Sequence, residues 1–174
     1  MARSWAPPQD GVMEIQRKFI VNVPVEQVWD VLGKRFHDVG DWSTGVKASR
    51  ALQTVGPAGV PHRQCEVPSL GLITERVDAF SEADRTFSYT IVEGAPGFAK
   101  RMGNTWWVRS LDERRTEVSF RLEAELKPVA DFLMGWMMKR QMSKVCDEVC
   151  ADLRTFIETG APSESKKAAL EKAA

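Results

Sequence analysis

In the stretch Thr116-Glu-Val-Ser-Phe-Arg-Leu-Glu-Ala-Glu-Leu126, polar and apolar residues alternate without interruption from the glutamate at 117 onwards. A period of two is typical of a half-buried antiparallel strand, in which every second side chain packs on the core. Two residues later, Pro128 opens a helical pattern that runs to about Glu158 and carries one apolar stripe. This order predicts a sheet whose apolar face is covered by the helix. The stripe consists of Met134, Met138, Met142, Val145, Cys146, Val149, Leu153 and Phe156.

Upstream of this stretch, turn residues separate six further strand-like segments and two short helices. A helix of about 30 residues is roughly 45 Å long, which is enough to cross a whole curved sheet. The sequence therefore predicts an α+β fold, with a seven-stranded curved antiparallel sheet around a long C-terminal helix and a cavity between them. The expected strands cover 13–23, 46–54, 60–67, 72–80, 86–93, 103–111 and 116–126, and the short helices follow the first strand at 24–33 and 36–42.

The composition excludes several classes of protein. The 174 residues include 24 basic and 24 acidic side chains, whereas a protein that binds nucleic acid through phosphates normally carries a basic surplus. Three cysteines and two histidines indicate neither a disulfide framework nor a metal site, and no cofactor is expected. Reduced thiols, with no apolar leader and no apolar run of membrane length, predict a cytoplasmic protein.

One folded unit is expected between two polar ends. Residues 1–11 contain paired prolines and no periodicity, which predicts a flexible leader. Residues 12–159 hold all the predicted strands and helices, and we expect them to form a single ligand-binding domain. Residues 160–174 are predicted to be a disordered polar tail with no face to bury.

Four features of the sequence occur together at the spacing of a known superfamily. They are Val23-Pro-Val-Glu-Gln-Val-Trp-Asp-Val-Leu32, Trp42, Gly71-Leu-Ile-Thr-Glu-Arg-Val-Asp-Ala-Phe80 and Arg85-Thr-Phe-Ser-Tyr-Thr-Ile-Val-Glu-Gly94. Over about residues 13–158 they resemble the START-like helix-grip superfamily (SRPBCC), and within it the polyketide cyclase/dehydrase and lipid-transport family. The resemblance implies a cavity for a hydrophobic ligand such as a lipid, isoprenoid or polyketide. It implies no particular reaction, because the superfamily includes cyclases, carriers and receptors.

One short segment carries a more specific likeness. Thr74-Glu-Arg-Val77 is similar to a segment of the plant abscisic acid receptors whose glutamate reaches into the ligand pocket, which implies this role for Glu75. The His-Arg-Leu latch of those receptors is missing, because Gly97-Phe-Ala-Lys-Arg101 stands in its region. This departure argues against a hormone-receptor role.

Strand parity predicts a charged anchor in an otherwise apolar cavity. Glu75 shares one face of its strand with Val77, so both are expected to point inward. A carboxylate buried in an apolar wall needs a partner, and Arg63 and Arg109 are the two candidates. If the parity slips at a bulge, Glu75 faces solvent instead.

Aromatic side chains are further candidates for the cavity wall. Tyr89 shares a strand face with Ile91, and its hydroxyl either orients a ligand, protonates an enolate or is simply satisfied at the cavity edge. Trp106 and Trp107 are adjacent on a strand, so only one can face the cavity, and Trp107 is predicted. The full predicted ligand-binding set is Arg63, Glu75, Val77, Tyr89, Ile91, Trp107, Arg109, Phe120, Met134, Met138 and Met142.

The two histidines have different expected environments. His37 precedes Asp38 in the short-helix region, where it is either a general base or a surface histidine in a polar turn. His62 alternates with polar residues and is expected to face water. The candidate catalytic residues are therefore Glu75, Tyr89 and His37.

The first half of the long helix is apolar on more than one side. Phe132, Leu133, Trp136 and Met137 fall outside the main stripe. Complete burial would explain them, as would a hydrophobic lip that contacts loops, a membrane or a partner protein.

The sequence leaves three functions open. The first is binding of a hydrophobic small molecule in the cavity between the sheet and the C-terminal helix. The second is a cyclase or dehydratase that uses the same cavity and moves protons through the candidate catalytic residues. The third is a protein-interaction module that docks through the Met/Trp-rich helix.

Overall fold

A computed structural model describes residues 12–172, except for the side chains of residues 129–135. Seven strands form one antiparallel sheet in the order β1-β7-β6-β5-β4-β3-β2. The predicted seven-stranded curved antiparallel sheet is confirmed. The strands are β1 (Val12–Val21), β2 (Ala48–Val55), β3 (Pro61–Val67), β4 (Gly71–Ser81), β5 (Thr86–Glu93), β6 (Ala99–Ser110) and β7 (Thr116–Leu126).

Short helical turns follow β1, and one long helix follows β7. The helices are α1 (Val25–Trp29), continued by a π-helical segment (Asp30–Lys34), a 3-10 turn (Phe36–Asp38), α2 (Val39–Trp42), a 3-10 turn (Pro57–Gly59), α3 (Pro128–Thr159) and α4 (Glu164–Glu171). Within residues 12–172, none of these helices combines the length and the apolar character needed to cross a membrane.

The apolar face of the sheet forms one continuous layer. In β7, the alternate residues from Thr116 to Leu126 are all buried, as their period of two predicts. Register extends this layer across the sheet, because Val77 pairs with Tyr89, Tyr89 with Asn104, and Asn104 with Leu122. Side chains on paired positions of antiparallel strands point to the same side, so they meet on the concave face.

The long helix α3 lies over this face and is anchored near β1. Its buried residues include Cys146, Leu153 and Ile157. Arg17 on β1 donates to Asp147 Oδ1 at 2.5 Å, which ties the first strand to the helix. Gly160 caps the helix after Thr159, and its φ of 72° is the left-handed conformation that glycine adopts readily at a helix C-terminus.

The chain after α3 differs from the predicted disordered tail. Ser163 caps α4, because its hydroxyl accepts a hydrogen bond from the Lys166 N–H at 3.2 Å. The side chain of Lys166 is buried, with the whole residue only 1% exposed, and its Nζ donates to the carbonyl oxygen of Val46 at 2.5 Å. The polar helix α4 therefore has a buried face. The aliphatic part of the Lys166 side chain packs against the domain, while its ammonium group donates to a backbone carbonyl oxygen.

Candidate functional site

A pocket of about 180 Å³ lies between the concave face of the sheet, the short helices and α3. Leu70 and Val145 line it and are 39% and 40% exposed, so the wall reaches the surface between the β3–β4 turn and α3. The wall consists of Val31, Leu32, Arg35, Phe36, Val39, Trp42, Ser43, Gly45, Val46, Arg63, Val67, Leu70, Glu75, Phe87, Tyr89, Ile91, Met102, Asn104, Trp106, Phe120, Leu122, Met142, Val145, Cys146 and Val149.

Strand register brings two charged residues together in this wall. Arg63 on β3 pairs directly with Glu75 on β4. Both residues are buried, at 6% and 5% exposure, and the Arg63 Nε donates to the Glu75 carboxylate. The predicted partnership of Glu75 with an arginine is therefore present in the structure, and Arg63 is the partner. The register of β4 shifts beside Thr74 and again beyond Val77, but Glu75 stays on the concave face.

Further contacts hold the Arg63 guanidinium in place. Its Nη1 donates to the carbonyl oxygen of Phe36 at 2.6 Å. Its Cζ lies 3.9 Å from the ring centroid of Phe36 and 4.8 Å from that of Tyr89, both within cation–π range. The Cys65 thiol donates to Glu75 Oε2 at 3.5 Å. A charge that would be costly to bury alone is thus compensated by an ion pair, a backbone acceptor and two rings.

Burial changes the protonation chemistry of groups in and beside the pocket wall. Desolvation raises the pKa of Tyr89 to about 12, with a smaller contribution from Glu75 in the same direction. Desolvation likewise raises the pKa of the Cys65 thiol to about 12 and that of the Cys146 thiol to about 11. For Arg63, burial opposes the charge, but Glu75 together with Tyr89 and Cys65 more than offsets this effect, so the pKa of Arg63 is raised. At neutral pH the tyrosine and both thiols are therefore uncharged.

Several predicted wall residues lie where the sequence places them. Tyr89, Ile91, Phe120 and Met142 all line the pocket. Val77 and Met138 are buried in the core but lie outside this wall. The side chain of Met134 lies outside the described residues.

Two residues of β6 were assigned to the wrong face. Trp107 is 36% exposed and lies under the Arg121 guanidinium, whereas its neighbour Trp106 is 2% exposed and lines the pocket. The Arg109 side chain points outward with 67% exposure and pairs with Glu117 at 3.1 Å. Met102, Trp106 and Val108 lie an even number of residues apart, so they point to the same face of β6, and all three are buried. This spacing of apolar residues is the signal in the sequence that predicts Trp106, and not Trp107, on the inner face.

Neither histidine belongs to the pocket wall. His37 is half-exposed, with its Nε2 3.3 Å from Asp38 Oδ1. The prediction that His62 faces water is wrong, because this residue is half-buried and its Nδ1 accepts a hydrogen bond from the Val77 N–H at 3.0 Å. The imidazole satisfies this backbone group where β3 no longer pairs with β4.

Of the four apolar residues outside the main stripe of α3, the structure describes the side chains of two. Trp136 is 74% exposed, and Met137 is also exposed. The side chains of Phe132 and Leu133 lie outside the described residues. Among residues 12–172, apart from those undescribed side chains, no three His, Cys, Asp or Glu residues are grouped to hold a metal ion.

Asn104 is a wall residue that the sequence reasoning missed. It pairs with Tyr89 on β5 and Leu122 on β7, both on the concave face. Its amide lines the pocket, and its buried Oδ1 has no hydrogen-bond partner within the part of the chain that the structure describes. Asn104 lies two residues from both Met102 and Trp106, so it shares their face of the strand, and this spacing is the signal in the sequence that predicts it in the wall.

Solved structures share this architecture. A START superfamily protein from Mycobacterium smegmatis superposes with a TM-score of 0.70 at 15% identity, covering 85% of this chain and 99% of the other. An uncharacterized protein from Bacillus thuringiensis gives 0.66 at 18% identity, with 83% and 98% coverage. The protein XoxI from Bacillus cereus gives 0.62 at 18% identity, with 84% and 94% coverage. These likenesses define the class of fold, which is START-like.

The sequence itself defines the family within that class. The family model for polyketide cyclase / dehydrase and lipid transport matches residues 13–158, which is most of the chain. The chain therefore belongs to this family, as the quoted segments predicted. A comparison with curated proteins found no significant match. Membership suggests a fold that binds hydrophobic ligands, and it names neither a ligand nor a reaction.

Proposed function

We propose that this protein binds a hydrophobic small molecule in the pocket between the sheet and α3. The observation that carries the proposal is an apolar pocket whose charged pair, Arg63 and Glu75, is buried and compensated within the wall. A concave apolar surface with a few fixed polar groups is the usual form of a small-molecule site. Binding would come mainly from apolar burial, at about 25 cal/mol per Å² before entropic costs.

The chemistry of the wall favours binding over proton transfer. A general acid or base works best when its pKa is near the working pH. The pKa of Tyr89 is raised to about 12, and His37 lies outside the wall. Cyclase or dehydratase activity, and docking of a partner on α3, therefore stay predictions from the sequence.

A pocket-filling variant tests the proposal. Val149 on α3 is half-buried and lines the pocket, so Val149→Phe places extra atoms in the binding space. Ile20 on β1 is 42% exposed and lies outside the wall, so Ile20→Phe is the matched control. Binding of ethylbenzene, a neutral single-ring probe, should weaken at least about tenfold in Val149→Phe when it is measured by isothermal titration calorimetry, which corresponds to ~1.4 kcal/mol. The control should stay within about twofold of the unmodified protein.

Thermal unfolding of both variants checks that each one folds. Native mass spectrometry of the purified protein adds an independent measurement, because a retained apolar ligand would shift the mass. An unmodified protein that takes up no apolar probe, or equal affinities in the two variants, would contradict the proposal.

A further inference from the structure

The size of the pocket limits the ligand that it holds. Sites for drug-sized molecules usually measure about 300–1,000 Å³. A cavity of ~150 Å³ accommodates benzene, and this pocket measures about 180 Å³. The space therefore matches one ring with a short substituent and is too small for a sterol or a long acyl chain.

Two pairs of aromatic side chains form part of the pocket wall. The rings of Phe36 and Phe87 lie 5.5 Å apart in an edge-on arrangement, and those of Trp106 and Phe120 lie 4.4 Å apart. All four residues line the pocket. Flat rings placed against such walls gain from offset or edge-to-face contact in addition to the area that they bury.

The described wall offers no uncompensated charge to a ligand. Arg63 is neutralised by Glu75 inside the wall. Arg35 forms an ion pair with Asp30, with its Nε 3.6 Å from Asp30 Oδ2. This Nε is buried without a hydrogen-bond partner among the described residues, but the side chain as a whole is 42% exposed, so solvent screens its charge. An anionic headgroup would lose its hydration on entry. In return it would find the two arginines of the described wall already paired with carboxylates.

Asn104 places a buried hydrogen-bond acceptor without a partner in the described wall. Its Oδ1 is buried without a hydrogen-bond partner among the described residues, and leaving a buried acceptor unpaired is destabilising. A ligand hydroxyl that donates to this oxygen would recover much of that cost. An amide can also donate through its nitrogen, so it suits a hydroxyl, which both donates and accepts.

We propose that the ligand is a neutral single-ring molecule with a hydroxyl group, and that Asn104 binds this hydroxyl. This inference rests on the proposed function, because it names the ligand class of the same pocket. It combines the volume, the aromatic wall, the compensated charges and the unpaired amide.

Three probes of similar shape test the inference by isothermal titration calorimetry. They are 4-ethylphenol, ethylbenzene and 4-ethylbenzoate, which differ in the presence of a hydroxyl or a carboxylate on the same ring. The unmodified protein should bind 4-ethylphenol about tenfold more tightly than ethylbenzene, and 4-ethylbenzoate weakest. Asn104→Leu should abolish the tenfold preference for 4-ethylphenol while ethylbenzene still binds, because leucine has no group that can hydrogen-bond the hydroxyl.

A second variant tests the charge argument. Glu75→Gln removes the negative charge beside Arg63 and keeps the shape of the side chain. Binding of 4-ethylbenzoate should strengthen about tenfold in this variant, with near-ultraviolet circular dichroism confirming the fold. An unmodified protein that prefers 4-ethylbenzoate, or an Asn104→Leu variant that keeps the phenol preference, would overturn the inference.

The two proposals fail in distinguishable ways. If palmitate or 1-aminoanthracene binds and none of the three ring probes does, the ligand class is wrong and the binding function stands. If no apolar compound binds at all, both proposals are wrong.

Discussion

The Arg63–Glu75 pair and the polar cluster beneath α4 are both buried, but only the first borders the binding space. We call the second group the tail cluster, defined as Asp152, Ser163 and Lys166 with the backbone of Thr44 and Val46. Asp152 accepts from the Thr44 N–H at 2.7 Å and from the Ser163 hydroxyl at 2.5 Å. Lys166 is bound to the Val46 carbonyl. In the tail cluster, polar atoms are used to join segments that are distant in sequence.

The difference teaches how one domain uses buried polarity in two ways. In the pocket wall, charge is compensated pairwise and neighbouring groups such as Asn104 remain available to a ligand. In the tail cluster, the bonds connect α3 and α4 to residues 44–46, and Val46 itself lines the pocket. Under the proposed function the first arrangement serves ligand recognition, whereas the second stabilises the backbone beside the pocket.

The largest expected effect comes from breaking the pocket pair. Glu75→Ala leaves the Arg63 guanidinium buried without its counter-charge, which typically costs ~3–5 kcal/mol. Urea unfolding should therefore show a fall of about this size in the free energy of unfolding. The double variant Arg63→Met/Glu75→Leu removes both charges and should recover most of the loss. A loss below ~1 kcal/mol in Glu75→Ala would show that water or another group compensates Arg63.

A smaller effect is expected in the tail cluster. Asp152→Ala removes the acceptor for the Thr44 N–H and the Ser163 hydroxyl, which should cost ~1–3 kcal/mol in urea unfolding. Glu148→Ala is the matched control on the same helix, because Glu148 is exposed and its ion pair with Lys144 is a surface contact at 3.9 Å. This control should change stability by less than ~0.5 kcal/mol. Equal losses in the two variants would mean that the tail cluster contributes little.

The smallest expected effect is on stability at alkaline pH. As the pH rises, a group beside the pocket pair should lower the stability, whereas a group in the tail cluster should raise it. Burial raises the pKa of Cys65 from 9.0 to about 12, so stability from this thiol is present below pH 9 and is lost as the pH rises. Burial lowers the pKa of Lys166 from 10.5, so the unfolded chain binds more protons and stability from this group increases with pH. Each pH unit within such a window is worth ~1.4 kcal/mol at most.

Urea unfolding at pH 8.5 and pH 10 measures these slopes. Cys65→Ala should reduce the loss of stability between the two pH values, by roughly 1 kcal/mol. Lys166→Met should make that loss larger. If Lys166→Met made the loss smaller, the assignment of a lowered pKa to this buried lysine would be wrong.

The pocket pair was predictable, because strand periodicity reports which side chains face the core. The alternation around Glu75 placed this residue inward without any knowledge of distant contacts, and its burial called for one of two arginine partners, Arg63 or Arg109. Register then decided between the two arginines, since Arg63 pairs with Glu75 whereas Arg109 pairs with Glu117 on the opposite face. The choice of Trp107 over Trp106 failed because two adjacent aromatic residues are ambiguous unless the whole strand sets the parity.

The local periodicity of apolar residues was sufficient to predict the architecture of this protein. A period of two in β7 and a period near 3.6 in α3 specify which faces are apolar, and those faces must cover each other to leave water. The tail cluster, the volume of the pocket and the unpaired amide of Asn104 depended on the folded chain. They arise from contacts between residues more than a hundred positions apart or across neighbouring strands, and no local periodicity encodes such distances.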